Sequence, residues 1–345
     1  MAANSNQTSP ATAAGRTQTF APFNTQRLIF FAYAPIIFGP MSIIVNIWII
    51  FVFCKRSVKV PSHHRFMYLT IAVADIMAGV GRQIMLVWLG DGLLIVSGNK
   101  VIYYFSLLSD FNCVISQTIW AVGETISGYT MLIFCVERYL AISRPLKVKL
   151  LFSFKRTLLY NFILQIPIQV YVFVFNILIF RPVESVGTAA GKRCTGDLKI
   201  SYALTLLTIN HLVLKYGHML PTFIVNVLLL MSIRQANKKR IKLIKGMSQS
   251  ETVTEKREIA TAIIILLASF VTAIAWVPES FFSGSNFLLG TLAINSPDIK
   301  TWPFFLFVGE WHAISLCWLV FSHVFNFYIY LAKMPQFRKA LISCP

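Results

Sequence analysis

Seven stretches of the chain are nearly free of charge and dense in Leu, Ile, Val, Phe and Ala: 28–54, 66–89, 112–142, 157–180, 203–233, 259–283 and 304–331. An α-helix needs about 20 such residues to cross a ~30 Å hydrocarbon core. Lipid offers no partners to backbone N–H and C=O groups, so apolar runs of this length read as helices, which satisfy those groups internally. The pattern predicts an all-α membrane protein, a seven-transmembrane helix bundle over 28–331 that forms one domain. A polar tail over 1–27 precedes it, and a tail over 332–345 follows. Within that second tail, 333–341 reads as a short amphipathic eighth helix lying along the headgroups. Phe337 and Leu341 fall four apart on one face, and Arg338 and Lys339 on another. The intervals 90–110 and 236–256 read as loops, the first carrying Gly90, Gly92 and Gly98 and the second strongly basic.

Composition agrees with the pattern. Charged residues make up 13% and hydrophobic ones 56%, with a mean hydropathy of +0.67; a soluble domain carries about 25% charge. A disordered protein, a coiled coil and a cytosolic enzyme are excluded. The net charge of +18 invites a nucleic-acid reading, but its distribution argues otherwise. Of the 31 Lys and Arg, 21 lie at the ends that follow the first, third, fifth and seventh stretches. The positive-inside rule assigns those ends to the cytoplasm and the N-terminus to the outside. The protein is therefore expected in the plasma membrane, multi-pass, with the lipid bilayer as partner and no nucleic acid.

Residues 1–27 lack an apolar core and do not read as a signal peptide. On the outer side they offer Asn6-Gln7-Thr8, a glycosylation acceptor. Cys113 and Cys194 are the two cysteines facing the oxidising compartment, and are expected to form a disulfide. Cys54, Cys135 and Cys317 read as buried free thiols, and Cys344 as a tail cysteine placed for palmitoylation.

Ionisable groups inside a membrane cost about 2.5–3.5 kcal/mol each on insertion scales and mark functional positions. The stretches contain Asn46, Asp75, Glu124, Ser127, Glu137-Arg138-Tyr139, Glu258, Trp276-Val277-Pro278-Glu279, His312, His323, Asn326 and Tyr330. Trp120 and Arg138 stand 18 residues apart, five turns and about 27 Å along one helix face. Glu258 and Trp276 repeat that interval. The stripes run from an outer aromatic or ionisable group to a polar group at the cytoplasmic end, as helices facing a shared interior would.

These residues, in order and at their spacings, resemble the rhodopsin-like (class A) G protein-coupled receptors over 28–341. Glu137-Arg138-Tyr139 is similar to the family's E/D-R-Y motif, with Cys113 the expected 25 residues ahead of Arg138. Asn46, Asp75, Pro221 and Trp276-Val277-Pro278 fit the markers of helices 1, 2, 5 and 6. Asn326-Phe327-Tyr328-Ile329-Tyr330 resembles N-P-x-x-Y, and Phe337 follows Tyr330 by seven. Phe327 replaces the proline, the fourth helix lacks the family's tryptophan, and the first outer loop is longer than usual; the chain resembles a divergent member.

The resemblance implies a receptor that binds an unidentified extracellular ligand and activates a heterotrimeric G protein through movement of helix 6. Glu137, Arg138, Tyr139, Glu258 and Tyr330 would carry coupling, with Arg138 clamped by Glu137 and Glu258 at rest; Glu258 also reads as one more solvated acid in a charged run. Asn46, Asp75, Ser127, Ser322 and Asn326 would line a polar core where Na+ binds at Asp75 and Ser127, unless Asp75 is protonated or bonded to Asn46 and Asn326. The ligand pocket would draw on Trp120, Glu124, His218, Trp276, Glu279, Phe282, Trp311 and His312. Glu124 and Glu279 equally read as acids paired with Lys215, His218 or His312. Trp120 and Val320 stand where amine receptors and opsins carry their ligand-binding aspartate and lysine, which excludes the usual amine site and a retinal Schiff base. No catalytic motif is visible, no cofactor is implied, and an enzyme is not expected. The short inner loops favour a chemosensory, odorant-type receptor; a peptide or hormone receptor stays open. From another class, a seven-helix transporter using Asp75, Glu124, Glu279, His218 and His323 as a relay also stays open, as does a non-coupling decoy.

Overall fold

In a computed structural model, residues 34–55, 58, 60–92, 105–184, 192–196, 203–243, 249–295 and 303–342 are described. Among them the chain is helical almost throughout. The helices are α1 (Ala34–Cys54), α2 (Ser62–Ala78, continued by a wide-turn π segment Gly79–Gly92), α3 (Asp110–Ser143), α4 (Pro145–Leu151) and α5 (Phe154–Ile179). After a β-hairpin of β1 (Phe180–Glu184) and β2 (Lys192–Gly196) come α6 (Ala203–Asn210, then a π segment His211–Tyr216), α7 (Gly217–Leu243), α8 (Gln249–Asn295), α9 (Pro303–Lys333) and α10 (Pro335–Ile342). Among the described residues, six helical stretches are long and apolar enough to cross a membrane: Ile36–Cys54, Asp110–Ser143, Phe154–Ile179, Thr205–Ala236, Ala260–Ser285 and Ile314–Lys333. The fold is that of an all-α multi-pass membrane protein.

Packing closes the helices into a ring: α9 lies on α1, α1 on α2, α2 on α3, α3 on α5 and α7, α7 on α8, and α8 on α9. Helix α3 also touches α8, so it runs through the middle, and half of its 34 residues are buried.

The bundle is inverted relative to a soluble protein. On α5, Phe162, Ile163, Ile166, Val170, Phe173 and Ile177 are exposed, while Thr157, Asn161, Gln165 and Asn176 are buried. The inward amides tie α5 to α3: Gln169 Nε2 donates to Thr125 Oγ1 at 3.0 Å, Gln165 Nε2 to the Ile126 carbonyl at 3.3 Å, and Thr130 Oγ1 to Asn161 Oδ1 at 3.2 Å. In lipid such interhelical hydrogen bonds and close packing hold helices together, because burying apolar surface against apolar tails gains nothing.

Several sequence boundaries need correction. The basic interval 236–256 is no open loop: α7 continues to Leu243 and α8 begins at Gln249. Its Gln, Lys, Arg, Glu and Ala residues are strong helix formers in water, so the helices outrun their apolar stretches. Outside the spans, α4 and the β-hairpin have no counterpart in the apolar pattern, being short elements of the loops. Cys113 and Cys194 form a disulfide with Cα atoms 5.5 Å apart, joining β2 to the start of α3. Cys135 is buried as expected, but Cys54 is exposed and Cys317 half-buried. Helix α9 runs unbroken past Phe327 to Lys333, as it can where Phe327 keeps the backbone N–H that a proline would lack. Beyond it, α10 seats Phe337 fully buried against Phe53, Phe327 and Tyr330, and Lys55 Nζ donates to the Ala340 carbonyl at 3.0 Å. Asn6 and Cys344 lie outside the described residues.

Candidate functional site

Buried polar groups gather at three heights along α3. At the disulfide end, Lys215 of the π segment after α6 forms an ion pair with Glu279 of α8 and donates to Ser283 Oγ at 3.0 Å. His312 Nε2 of α9 stands 3.9 Å from the same carboxylate. Glu124, buried on α3, faces Glu279, Lys215 and Arg82 electrostatically, and the Arg82 guanidinium lies over the Trp120 ring at 4.1 Å. Among the described residues, the acids Glu124 and Glu279 thus share this part of the bundle with the cations Lys215 and Arg82; buried charges persist where they are paired. Glu279 Oε2 has no hydrogen-bond partner among the described residues.

The eight pocket candidates separate into tiers. Trp120, Glu124, Glu279 and His312 belong to this charged cluster. Phe282 and Trp311 stack at 5.9 Å nearer the rim, where Trp311 is exposed. His218 and Trp276 are buried below as an edge-to-face pair 4.8 Å apart, with Tyr129 on the other side of the imidazole at 5.4 Å. Gly128 makes room for that imidazole, since a Cβ there would meet its ring at 2.6 Å. Beside the pair a cavity of about 10 Å³, lined also by Met131, Thr222 and Thr272, has room for one water.

At mid-height, Asp75 is fully buried. Ser127 Oγ donates to its Oδ1 at 2.7 Å, and His323 Nδ1 stands 2.8 Å from the same oxygen. No hydrogen bond joins Asp75 to Asn46 or Asn326 among the described residues: Asn46 Nδ2 donates to the Ser42 carbonyl at 2.9 Å. Ser322, also expected here, donates its Oγ to the Leu319 carbonyl at 2.6 Å. Asp75 Oδ2, Asn46 Oδ1 and Asn326 Oδ1 have no partner among the described residues. Of the residues expected around a sodium ion, the structure brings Asp75 and Ser127 into contact, and His323 supplies an N–H where a cation would otherwise be needed.

At the basic end of α3, Arg138 grips its neighbour Glu137 through both Nε and Nη2, and both side chains are buried. The first turn of α2 closes over them. His64 Nε2 lies 2.6 Å from Arg138 Nη2 and 3.3 Å from Glu137 Oε1, and His63 Nε2 lies 3.6 Å from Glu137 Oε1. Arginine stays protonated and can only donate, so His64 Nε2 accepts from it and the imidazole is neutral. His64 precedes the apolar stretch 66–89, and its burial is the main influence holding its pKa below the ordinary value. Tyr330 packs among Phe53, Tyr68 and Phe337, and Tyr139 lies against Leu229, Ile233 and Ala262. Glu258 falls within α8, but its side chain lies outside the described ones; among the described side chains, Glu137 is an acid that grips Arg138.

His63 and His64 were not among the sequence-derived site residues, because a search for polar groups within apolar stretches stops at residue 66. The signal available was the His-His pair itself, one turn ahead of a stretch whose later residues include Asp75. His323 was read as part of a relay rather than as the partner of Asp75. No protein-family model and no curated protein matches this chain.

Proposed function

We propose that the protein is a G protein-coupled receptor of the rhodopsin-like type, with seven spanning helices, α10 as the eighth helix, and the N-terminus outside. Its ligand enters at the disulfide end, near Lys215, Glu279 and His312, and a heterotrimeric G protein engages the basic end. The supporting observation is the buried Glu137–Arg138 pair. A permanently charged guanidinium held by the Glu137 carboxylate and the His64 imidazole is a resting arrangement that a modest conformational bias can release. A transporter has no need of a sequestered arginine at the end of its central helix. The intact pair also speaks against a decoy. A chemosensory ligand remains the reading for the outer end; in the core, the His323 imidazole beside Asp75 and Ser127 takes the place that a sodium ion would fill.

Basal nucleotide exchange in membranes across the main Gα classes tests this, at matched surface expression. Glu137→Gln weakens the grip on Arg138 and raises exchange several-fold over wild type; Arg138→Ala abolishes it. Three proteins that reach the surface and are equally silent would overturn the coupling reading and return the transporter.

A further inference from the structure

The residues that hold Arg138 have the chemistry of a metal site. The ligand atoms of His63, His64 and Glu137 all lie within 4.8 Å of one another. Donors on a tetrahedron of 2.0–2.1 Å bonds stand about 3.3 Å apart; here the two Nε2 atoms lie 3.6 and 3.3 Å from Glu137 Oε1. Two of the three edges are thus already near the required length, and the third is no longer than 4.8 Å. Two imidazoles and one carboxylate are a donor set for zinc and its transition-metal neighbours, whereas calcium and magnesium call for oxygen ligands. His64 Nε2 faces the Arg138 guanidinium with its lone pair, and the Glu137 carboxylate accepts from the same guanidinium. His63 retains 19% side-chain exposure, which opens a path from the aqueous face. Arg65, the nearest other cation on α2, turns away to donate to the Val58 carbonyl at 2.7 Å.

We propose that His63, His64 and Glu137 bind a divalent cation of the zinc class, and that it enters by displacing the Arg138 guanidinium. The lone pair on His64 Nε2 that accepts from Arg138 Nη2 is the one a metal takes, and Glu137 Oε1 is likewise shared between the two. Arginine is the resident cation of the cluster; a dication takes over its ligands and repels it. Displacement frees Arg138 without any ligand at the outer end. That last consequence rests on the receptor reading, while the metal site does not.

The test uses the full-length protein in lipid nanodiscs, stripped with EDTA, titrated with Co2+ and back-titrated with Zn2+. One equivalent of Co2+ gives the intense visible absorption of tetrahedral coordination, and Zn2+ bleaches it. His63→Ala and His64→Ala each weaken binding at least about tenfold, the loss that removing even an outer partner of a metal ligand brings. Arg138→Gln tightens binding, because the internal competitor is gone. This last change separates exchange from simple addition. His312→Ala, in the other cluster, leaves the band intact. Should His64→Ala fail to fold, His64→Asn preserves an acceptor for Arg138 and offers no imidazole. Absence of the band, a band indifferent to both histidines, or weaker binding in Arg138→Gln overturns the proposal. Cobalt binding reads no G protein: a band with silent nucleotide exchange sinks the receptor reading alone, and exchange without a band sinks the metal site alone.

Discussion

Asp75 shows how far single residues could be read. A carboxylate in an apolar stretch announces itself by its cost, and the sequence singled out Asp75, Glu124, Glu279 and Glu137 for that reason. Their partners were less legible, because a partner is fixed by which face of which helix comes near, and several candidates offered suitable groups. Lys215 was one of three groups weighed for Glu279; His323 was not weighed for Asp75 at all. The consequence is measurable. His323 Nδ1 lies 2.8 Å from Asp75 Oδ1, so a sodium ion has to compete with an N–H already in place. Thermal unfolding of the purified wild type is expected at the same temperature in NaCl and in choline chloride. In His323→Ala the carboxylate loses that donor and keeps Ser127, and sodium then raises the midpoint. A cation at ten times its dissociation constant stabilises by about 1.4 kcal/mol. A wild type that already responds to sodium would show that the imidazole does not hold the cation's place.

The apolar runs revealed the helices, because the bilayer thickness sets a length that composition must match. They did not reveal helix ends, since Gln249 and its neighbours are helical in water for reasons of propensity rather than burial. Nor did they reveal how closely helices approach. Gly123 of α3 lies against the backbone of α2: a Cβ there would stand 2.4 Å from the Ala78 nitrogen and 2.6 Å from the Ala74 carbonyl oxygen. Gly81 meets α3 in the same way, 2.4 Å from the Trp120 nitrogen. Backbone atoms cannot rotate aside, so one methyl forces the two helices apart. Close approach at small residues is how membrane helices gain packing. Gly123→Ala is expected to cost about 1–3 kcal/mol, the range for overpacking, read as a lower unfolding midpoint and less protein at the surface. Gly284→Ala is the control, because its Cβ would find only the Tyr216 hydroxyl at 3.5 Å. Equal behaviour of the two variants would mean that α2 and α3 separate at no cost.

For the whole molecule, the open question is whether α2 crosses the membrane, which decides between six spans and seven. Its α-helical part, Ser62–Ala78, is 17 residues and carries Asp75, so apolar length alone does not qualify it. Its contacts do. The first turn of α2 meets Glu137 through His64, and Gly81 meets Trp120. Over that interval α2 runs beside 17 residues of α3, about 26 Å of rise, most of the hydrocarbon thickness. Its charge is turned inward, with Asp75 fully buried and Arg82 over Trp120. We propose that a helix so placed spans with its neighbours. Seven spans would put the termini on opposite sides, and the 21 basic residues at one set of ends would choose the side. Each positive charge moved outward works against about 2.3 kcal/mol per 100 mV of membrane potential. An epitope at the N-terminus should therefore be stained on intact cells, and one at the C-terminus only after permeabilisation. Both epitopes on the same side would leave α2 out of the bilayer, and with it the Asp75 cluster as an intramembrane site. A C-terminal epitope alone on intact cells would invert the bundle and put the Glu137–Arg138 pair where no G protein can reach it.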